Sequence, residues 1–344
     1  MKKHLFFLTF FLITAPFYAQ KKGKSKNPPP PPKEQIIPPS ISEESGASGD
    51  NNMSVVMPAS DLTRINATKT NGQKIRINQI NELENLDFSQ VKELSISTMM
   101  SDQSLDNRIL QKILNEANQL EALEVANFKI EKFPEIKAQN HHLKKIALDK
   151  NDLRTIPESI SNLTALENFS SGNPLRELPA SFSQLKNIKE LSLNYTEFSE
   201  FPKVIFSLNK LSFLYISGNY KGNIKIKELP DMFHELPELK ELGVTNASLS
   251  KLPKSFLGLK KLKKVNFSNN QFTEFPEVLA ANPKLEFVPF TNNPLEWSVF
   301  LASIKKIKWR GLFFLNETGF TKKQYEEIQK ILAKIDVYYD GMND

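Results

Sequence analysis

The chain has 344 residues, a formal net charge of +6 and no cysteine. That length allows one large domain or two ordinary ones, and an apolar fraction of 40% is enough for a sizeable core. Disulfides, thiolate metal sites, cysteine nucleophiles and a lipidated cysteine are all excluded. Lys2 and Lys3 supply +2 of the charge, and residues 20–50, with five lysines against Glu34, Glu43, Glu44 and Asp50, supply +1, which leaves +3 for residues 51–344. A nucleic-acid binder concentrates basic residues in a stripe, so no nucleic acid is expected as a partner.

Residues 1–19 read as a secretory signal: Lys2 and Lys3 form the charged start, and the apolar run Leu5 to Tyr18 follows, interrupted by Pro16. The run is short for a bilayer span. Cleavage after Ala19 would expose Gln20. Phe17 at the −3 position departs from the small-residue preference, so the cut stays open, and an uncleaved N-terminal anchor is the alternative. In that case alone the chain would touch a membrane. Residues 20–60 read as a linker. The unbroken run Pro28 to Pro32 favours an extended polyproline spacer, and the Ser/Gly-rich stretch through Gly49 cannot bury enough apolar surface to fold.

Residues 61–118 are expected to form an N-terminal cap and a long first repeat. Ile75, Ile77, Ile80, Leu83 and Leu86 suggest an apolar lid, and Leu105, Ile109, Leu110, Ile113 and Leu114 fit one helix face. From residue 119 to 297 one pattern recurs. Leu143, Ile146, Leu148, Asn151, Leu153, Ile156 and Pro157 match Leu262, Val265, Phe267, Asn270, Phe272, Phe275 and Pro276 position for position. The first apolar position runs Leu143, Leu166, Ile188, Leu211, Leu239, Leu262, Leu285, in steps of 23, 22, 23, 28, 23 and 23. Leu120, Leu123, Val125, Ile130, Phe133 and Pro134 form a further unit upstream, and Val91, Leu94 and Ile96 begin the array. Residues 298–344 read as a C-terminal cap, with a helix over 321–334 N-capped by Thr321 and a last strand around Ile335, Val337 and Tyr339.

This pattern, L-x-x-L-x-L-x-x-N-x-L-x-x-L-P, resembles the leucine-rich-repeat family in its roughly 23-residue class, over residues 88–297. The resemblance implies an α/β solenoid, a curved horseshoe with a parallel sheet on its concave side. The alternating core residues make a short strand with one face inward. The asparagine hydrogen-bonds the backbone where the chain leaves the strand, and Leu-Pro begins the return, where proline fixes φ and needs no donor. Asn151, Asn219 and Asn270 hold the asparagine position, whereas Phe128, Thr196 and Ala247 replace it. No unit can bury its face alone, so neighbours stack into one core.

No catalytic constellation is present in the sequence. His4, His141, His142 and His234 form no metal-ligand spacing, and there is no P-loop, no G-x-G-x-x-G and no G-x-S-x-G. Neither an enzyme activity, nor a cofactor, nor a metal is expected. Attention falls on the concave face, lined by the third, fifth, seventh and eighth positions of each unit. The fifth positions include Ser192, Tyr215, Gly243, Asn266 and Pro289, the third include Glu190, Phe213 and Phe287, and Tyr195 takes an eighth position. Tyr195, Phe213 and Tyr215 are expected to project near one another, with Ser192, Asn194, Ser217 and Thr245 as a hydrogen-bonding surround. The plainer alternative is that these rings cover adjacent sheet. The insertion Tyr220 to Lys225 lies in the same long unit. The expected function is an exported, secreted, periplasmic or cell-surface protein that binds a protein or peptide, the alternative being carbohydrate or cell-wall binding through the same aromatics.

Overall fold

The computed structural model describes residues 63–99, 103–219 and 226–340. The signal, the whole linker and the Tyr220–Lys225 insertion lie outside the described residues. A thirteen-stranded sheet runs through the described chain. It opens with the hairpin β1 (Thr63–Lys69) and β2 (Lys74–Ile77), in which β1 pairs antiparallel with β2 and with β3 (Val91–Thr98). This hairpin lies within residues 61–118, and its antiparallel strands close the edge of the parallel sheet. From β3 every neighbour pair is parallel and in chain order: β4 (Ala122–Ala126), β5 (Lys145–Ala147), β6 (Asn168–Gly172), β7 (Glu190–Thr196), β8 (Phe213–Gly218), β9 (Glu241–Thr245), β10 (Lys264–Asn266), β11 (Phe287–Pro289), β12 (Leu312–Phe314) and β13 (Asp336–Tyr338).

Each strand is short because one residue bends the chain out of it. Asn127, Lys150, Tyr195, Asn246, Asn269, Asn292 and Glu317 all have φ between 50° and 67°. They fall at the eighth position of their units, directly before the asparagine position. Left-handed backbone is costly for side chains other than glycine, and asparagine bears it best, which explains four of the seven. The 22-residue unit beginning at Leu166 lacks this position altogether, and Gly172 runs straight into Asn173.

The asparagine ladder follows. Asn151 donates to the Val125 carbonyl (2.9 Å) and accepts from the Phe128 N–H (3.0 Å). Asn270 donates to Val244 (2.8 Å) and accepts from Leu249 (3.1 Å), and Asn293 repeats the pattern on Phe267 and Phe272. Asn173 belongs to the same ladder, donating to the Leu148 carbonyl. Each satisfies buried backbone groups that the bend removes from the sheet. Thr196 breaks the pattern and donates instead to Ser217 in the next unit (3.2 Å).

The Leu-Pro prolines start the return segments. Pro157, Pro179, Pro202 and Pro253 immediately precede one-turn 3-10 helices at Glu158–Asn162, Ala180–Gln184, Lys203–Ser207 and Lys254–Gly258. α-Helices replace them toward the ends: α1 (Asn107–Glu116), the short α2 (Glu277–Ala280), α3 (Trp297–Ile304) and α4 (Lys322–Ile331). Helix α1 buries Ile109, Leu110, Ile113 and Leu114. Thr321 and Gln324 form a reciprocal capping box on α4, in which each side chain satisfies the other's backbone N–H.

Between sheet and return segments lies one continuous core. Leu211, Leu214 and Ile216 are wholly buried, each stabilising by about 1.5–3 kcal/mol relative to exposure. Phenylalanine supplies much of its volume: Phe88, Phe128, Phe169, Phe182, Phe198 and Phe201 are among its largest wholly buried side chains. Ring contacts run without a break from Phe201 through Phe233, Phe256, Phe267, Phe272, Phe290 and Phe275 to Phe313, at 4.5–6.1 Å between centroids. No unit owns this core, so removal of one unit uncovers both neighbours.

Candidate functional site

Strand register sorts the outward side chains into rows. The third-position row reads Glu190, Phe213, Glu241, Lys264, Phe287, Leu312 and Asp336 from β7 to β13. The fifth-position row reads Ser170, Ser192, Tyr215, Gly243 and Asn266 from β6 to β10, and Pro289, Phe314 and Tyr338 from β11 to β13. In the seventh row Ser217 sits beside Thr245.

The residues expected as a binding patch divide sharply in exposure. Tyr195 is 44% exposed and Phe213 is half-buried, whereas Tyr215 is 6% exposed. Ser192, Asn194, Ser217 and Thr245 are buried as well. Tyr215 does not project: its ring lies across Gly243 on the next strand, where a Cβ would stand 2.2 Å from Tyr215 Cδ2. Its hydroxyl is 2.9 Å from Thr245 Oγ1. The polar surround is engaged internally. Asn194 donates to Ser192 Oγ (3.0 Å), Asn246 donates to Ser217 Oγ (3.1 Å), and Ser217 donates to the Gly218 carbonyl (2.9 Å). The three rings do not project together: Phe213 begins β8 beside Glu190, Tyr215 lies flat beside Ser192, and Tyr195 is level with the far end of β8, near Gly218.

Tyr195 is the unusual member. The pairing of β7 with β8 slips between Leu193 and Thr196, and Tyr195 occupies that slip with φ 58°. Asparagine, lysine or glutamate holds the equivalent bend in the six other units that have one. A bulky ring in left-handed backbone stores strain, and here the ring is also turned partly to solvent.

One carboxylate stands apart on this face. Asp149, beside Ser170 and Gly172, is pushed above the usual carboxylate range by burial, against the lowering effect of hydrogen bonds from Ser170 and the Gly172 N–H. Gly172 is needed there, because a Cβ would stand 2.9 Å from Asp149 Oδ1.

A second aromatic group was not singled out by sequence. Phe287, Leu312, Phe314 and Tyr338 lie half-buried on adjoining strands, with Phe287 and Phe314 centroids 5.1 Å apart and Phe314 stacked on Tyr338 at 4.9 Å. Phe287 was legible as a third position, but Leu312, Phe314 and Tyr338 lie past Trp297, where the repeat consensus stops. The alternation Leu312-x-Phe314 was the available signal. Among the described residues no group of three His, Asp or Glu could hold a metal ion, and no helix is long and apolar enough to cross a membrane.

Parallel single strands in chain order, a left-handed bend recurring at the same position of seven units and the asparagine ladder define a leucine-rich-repeat solenoid. No family model matches the chain. Over 143 residues, 40% of this chain, it is 29% identical to mouse leucine-rich repeat and calponin homology domain-containing protein 1, and it spans about a fifth of that relative's length (19%). Among solved structures it is similar to a leucine-rich-repeat protein of Leptospira interrogans (21% identity, 68% of this chain and 81% of that one, TM-score 0.37). It is also similar to an internalin (15%, 79% and 86%, 0.47) and to internalin C2 (17%, 64% and 85%, 0.48), both of Listeria monocytogenes. The fold assignment rests on the molecule's own register and repeat.

Proposed function

We propose that the chain is an exported, non-catalytic leucine-rich-repeat protein that binds a protein or peptide partner through the concave face of its sheet. The observation that carries this reading is Tyr195: a large ring kept in left-handed backbone and 44% exposed, at a position where the fold is better served by asparagine. Phe213 stands on the neighbouring strand beside Glu190, five residues back from Tyr195, so the two rings mark the two ends of one concave face, with Tyr215 lying flat between them. The charged start and apolar run of residues 1–19 support export, and N-terminal sequencing of protein recovered outside the cell would locate the cut.

The test is affinity capture from the native culture with the full chain, compared with Tyr195→Asn and Phe213→Ala. A specific protein partner that is lost with either variant, while thermal unfolding stays near that of the parent, supports the reading. Unchanged capture by both variants overturns it. Binding confined to a glycan array, with no protein captured, transfers the patch to a carbohydrate.

A further inference from the structure

A regular pairing rule holds along the edge of the sheet where the chain enters each strand. Lysines there meet glutamates one unit away: Lys144 with Glu121 (3.2 Å), Lys189 with Glu167 (2.8 Å), Lys261 with Glu238 (2.5 Å) and Lys264 with Glu241 (2.8 Å). The rule still holds at the entry to β11, where Lys263 meets Glu286, and ends at the entry to β12, where Gly311 stands at the equivalent position. An open cavity of about 560 Å³ lies there, walled by Lys284, Glu286, Lys308 and Arg310 over Pro283 and Leu285. Its one carboxylate, Glu286, is taken by Lys263 at 2.9 Å. The Lys284 ammonium donates to the Lys260 carbonyl (2.9 Å), and among the described residues neither Lys308 nor Arg310 has a side-chain hydrogen bond or ion pair. Three exposed cations thus converge on one cavity with no carboxylate of their own.

The cavity is built by the fold. Gly311 adopts φ 149° and passes so close to the neighbouring unit that a Cβ would stand 2.1 Å from the Glu286 carbonyl oxygen. Only glycine permits that approach, and it presses Arg310 against the wall carrying Glu286. The strands that leave the cavity bear the half-buried platform: Glu286 precedes Phe287, and Arg310 precedes Leu312 by two residues. Phe314 and Tyr338 extend the platform to the last strand.

We propose that this end of the sheet is a second binding surface, which takes an acidic segment of a partner protein: carboxylates enter the Lys284–Lys308–Arg310 cavity, and an adjoining apolar side chain lies on Leu312, Phe314 and Tyr338. Charge complementarity selects this occupant. The uncompensated charge is confined to one cavity a few side chains wide, whereas a phosphate backbone tracking along the sheet needs a run of free cations, and Lys261 and Lys264 in the flanking unit are already held by Glu238 and Glu241. An arginine beside aromatic rings is also the composition of a binding hot spot. The surface is separate from the Tyr195 patch, and either can fail without the other.

The probe is a fluorescein-labelled oligoglutamate peptide ending in phenylalanine, titrated by anisotropy against the full chain, with the glutamine counterpart and a single-stranded DNA oligonucleotide as comparisons. The expected result is binding of the glutamate peptide alone, weakened about tenfold by Lys308→Gln with Arg310→Gln and again by Phe314→Ser, and diminished between about 0.05 M and about 0.5 M salt. Tyr195→Asn should leave it unchanged. Lys308 and Arg310 are exposed, so their variants should unfold as the parent does. Equal binding by the Lys308→Gln, Arg310→Gln variant, equal binding of the glutamine peptide, or tighter binding of the DNA would each overturn the proposal.

Discussion

The Tyr215–Gly243 contact makes the sharpest prediction, because it couples two residues on different strands through one ring. Gly243→Ala places a methyl 2.2 Å from Tyr215 Cδ2, so the ring must lift. Lifting breaks the 2.9 Å bond to Thr245, at a cost of about 1 kcal/mol. It also re-exposes roughly half of a side chain of about 200 Å², or about 100 Å², at about 25 cal/mol per Å², which is about 2.5 kcal/mol. The sum is about 3.5 kcal/mol, an upper figure because the ring finds other contacts when it lifts. In a domain of this size each kcal/mol moves Tm by about 2–4 °C, so a fall of about 7–14 °C bounds the effect. The decisive measurement is a double-mutant cycle in urea. With Tyr215→Ser in place there is no ring to displace, and Gly243→Ala should become neutral or slightly stabilising, since alanine loses less backbone entropy than glycine in a strand. A coupling of at least about 2 kcal/mol is expected. Additive costs would refute the reasoning, since the glycine would then be required by backbone and not by the ring.

The remaining predictions concern the bend, the ladder and the edges. Tyr195→Asn should change Tm by no more than about 2–4 °C, because relief of about 1 kcal/mol of left-handed strain offsets the lost ring contacts; a large destabilisation would make the ring structural. Asn270→Ala strands the Val244 carbonyl and the Leu249 N–H in the core, and should cost about 2–4 kcal/mol in denaturant unfolding. Hydrogen bonds from Ser181 and Ala180 hold Glu158 below the usual carboxylate range, and those from Ser255 do the same for Asp231. A lowered folded pKa contributes stability above the unfolded value that is lost as pH falls through the folded one. Glu158→Gln and Asp231→Asn should therefore lower Tm at pH 7 and leave it nearly unchanged at strongly acid pH. Asp149 has the opposite sign: its raised pKa means that the folded state binds the proton more tightly, so Asp149→Asn should raise Tm at neutral pH and have less effect in acid.

Much of the fold was legible because every apolar position of the repeat is a core contact, and a shift of phase would expose a leucine. Legibility ended where the spacing changed while the geometry continued. Asn173 was not recognised as a ladder residue, because the 22-residue unit has dropped the bend residue before it. Strands β12 and β13 fell outside the pattern, because the inward residues Val288, Phe313 and Val337 are spaced by 25 and 24 and Thr318 stands at the asparagine position. Glu317, at φ 55°, still supplies the bend. The rows of the outer face were also legible, since alternation fixes which side chains point away from the core. Exposure was not. Whether a tyrosine projects or lies flat depends on its neighbour one strand over, and that neighbour, Gly243, is 28 residues away in sequence.

This distinction separates what holds the sheet together from what it can offer a partner. Tyr215 has used its ring on Gly243 and its hydroxyl on Thr245, so little of its surface remains to be desolvated on binding. The free energy of association comes from surface still in water, concentrated on rings already held in place. Tyr195 and Phe213 satisfy that condition at the middle of the sheet, and Phe314 and Tyr338, fixed against each other but half-exposed, satisfy it at the C-terminal end. Alanine substitutions along the fifth row should accordingly change character from strand to strand. On β8 the loss should register as stability, and on β12 and β13 as affinity. The cations beside β12 should make binding there fall with salt for an acidic peptide, whereas Phe213 is flanked by Glu190 and Glu241 and offers such a peptide no cation on either neighbouring strand at that row.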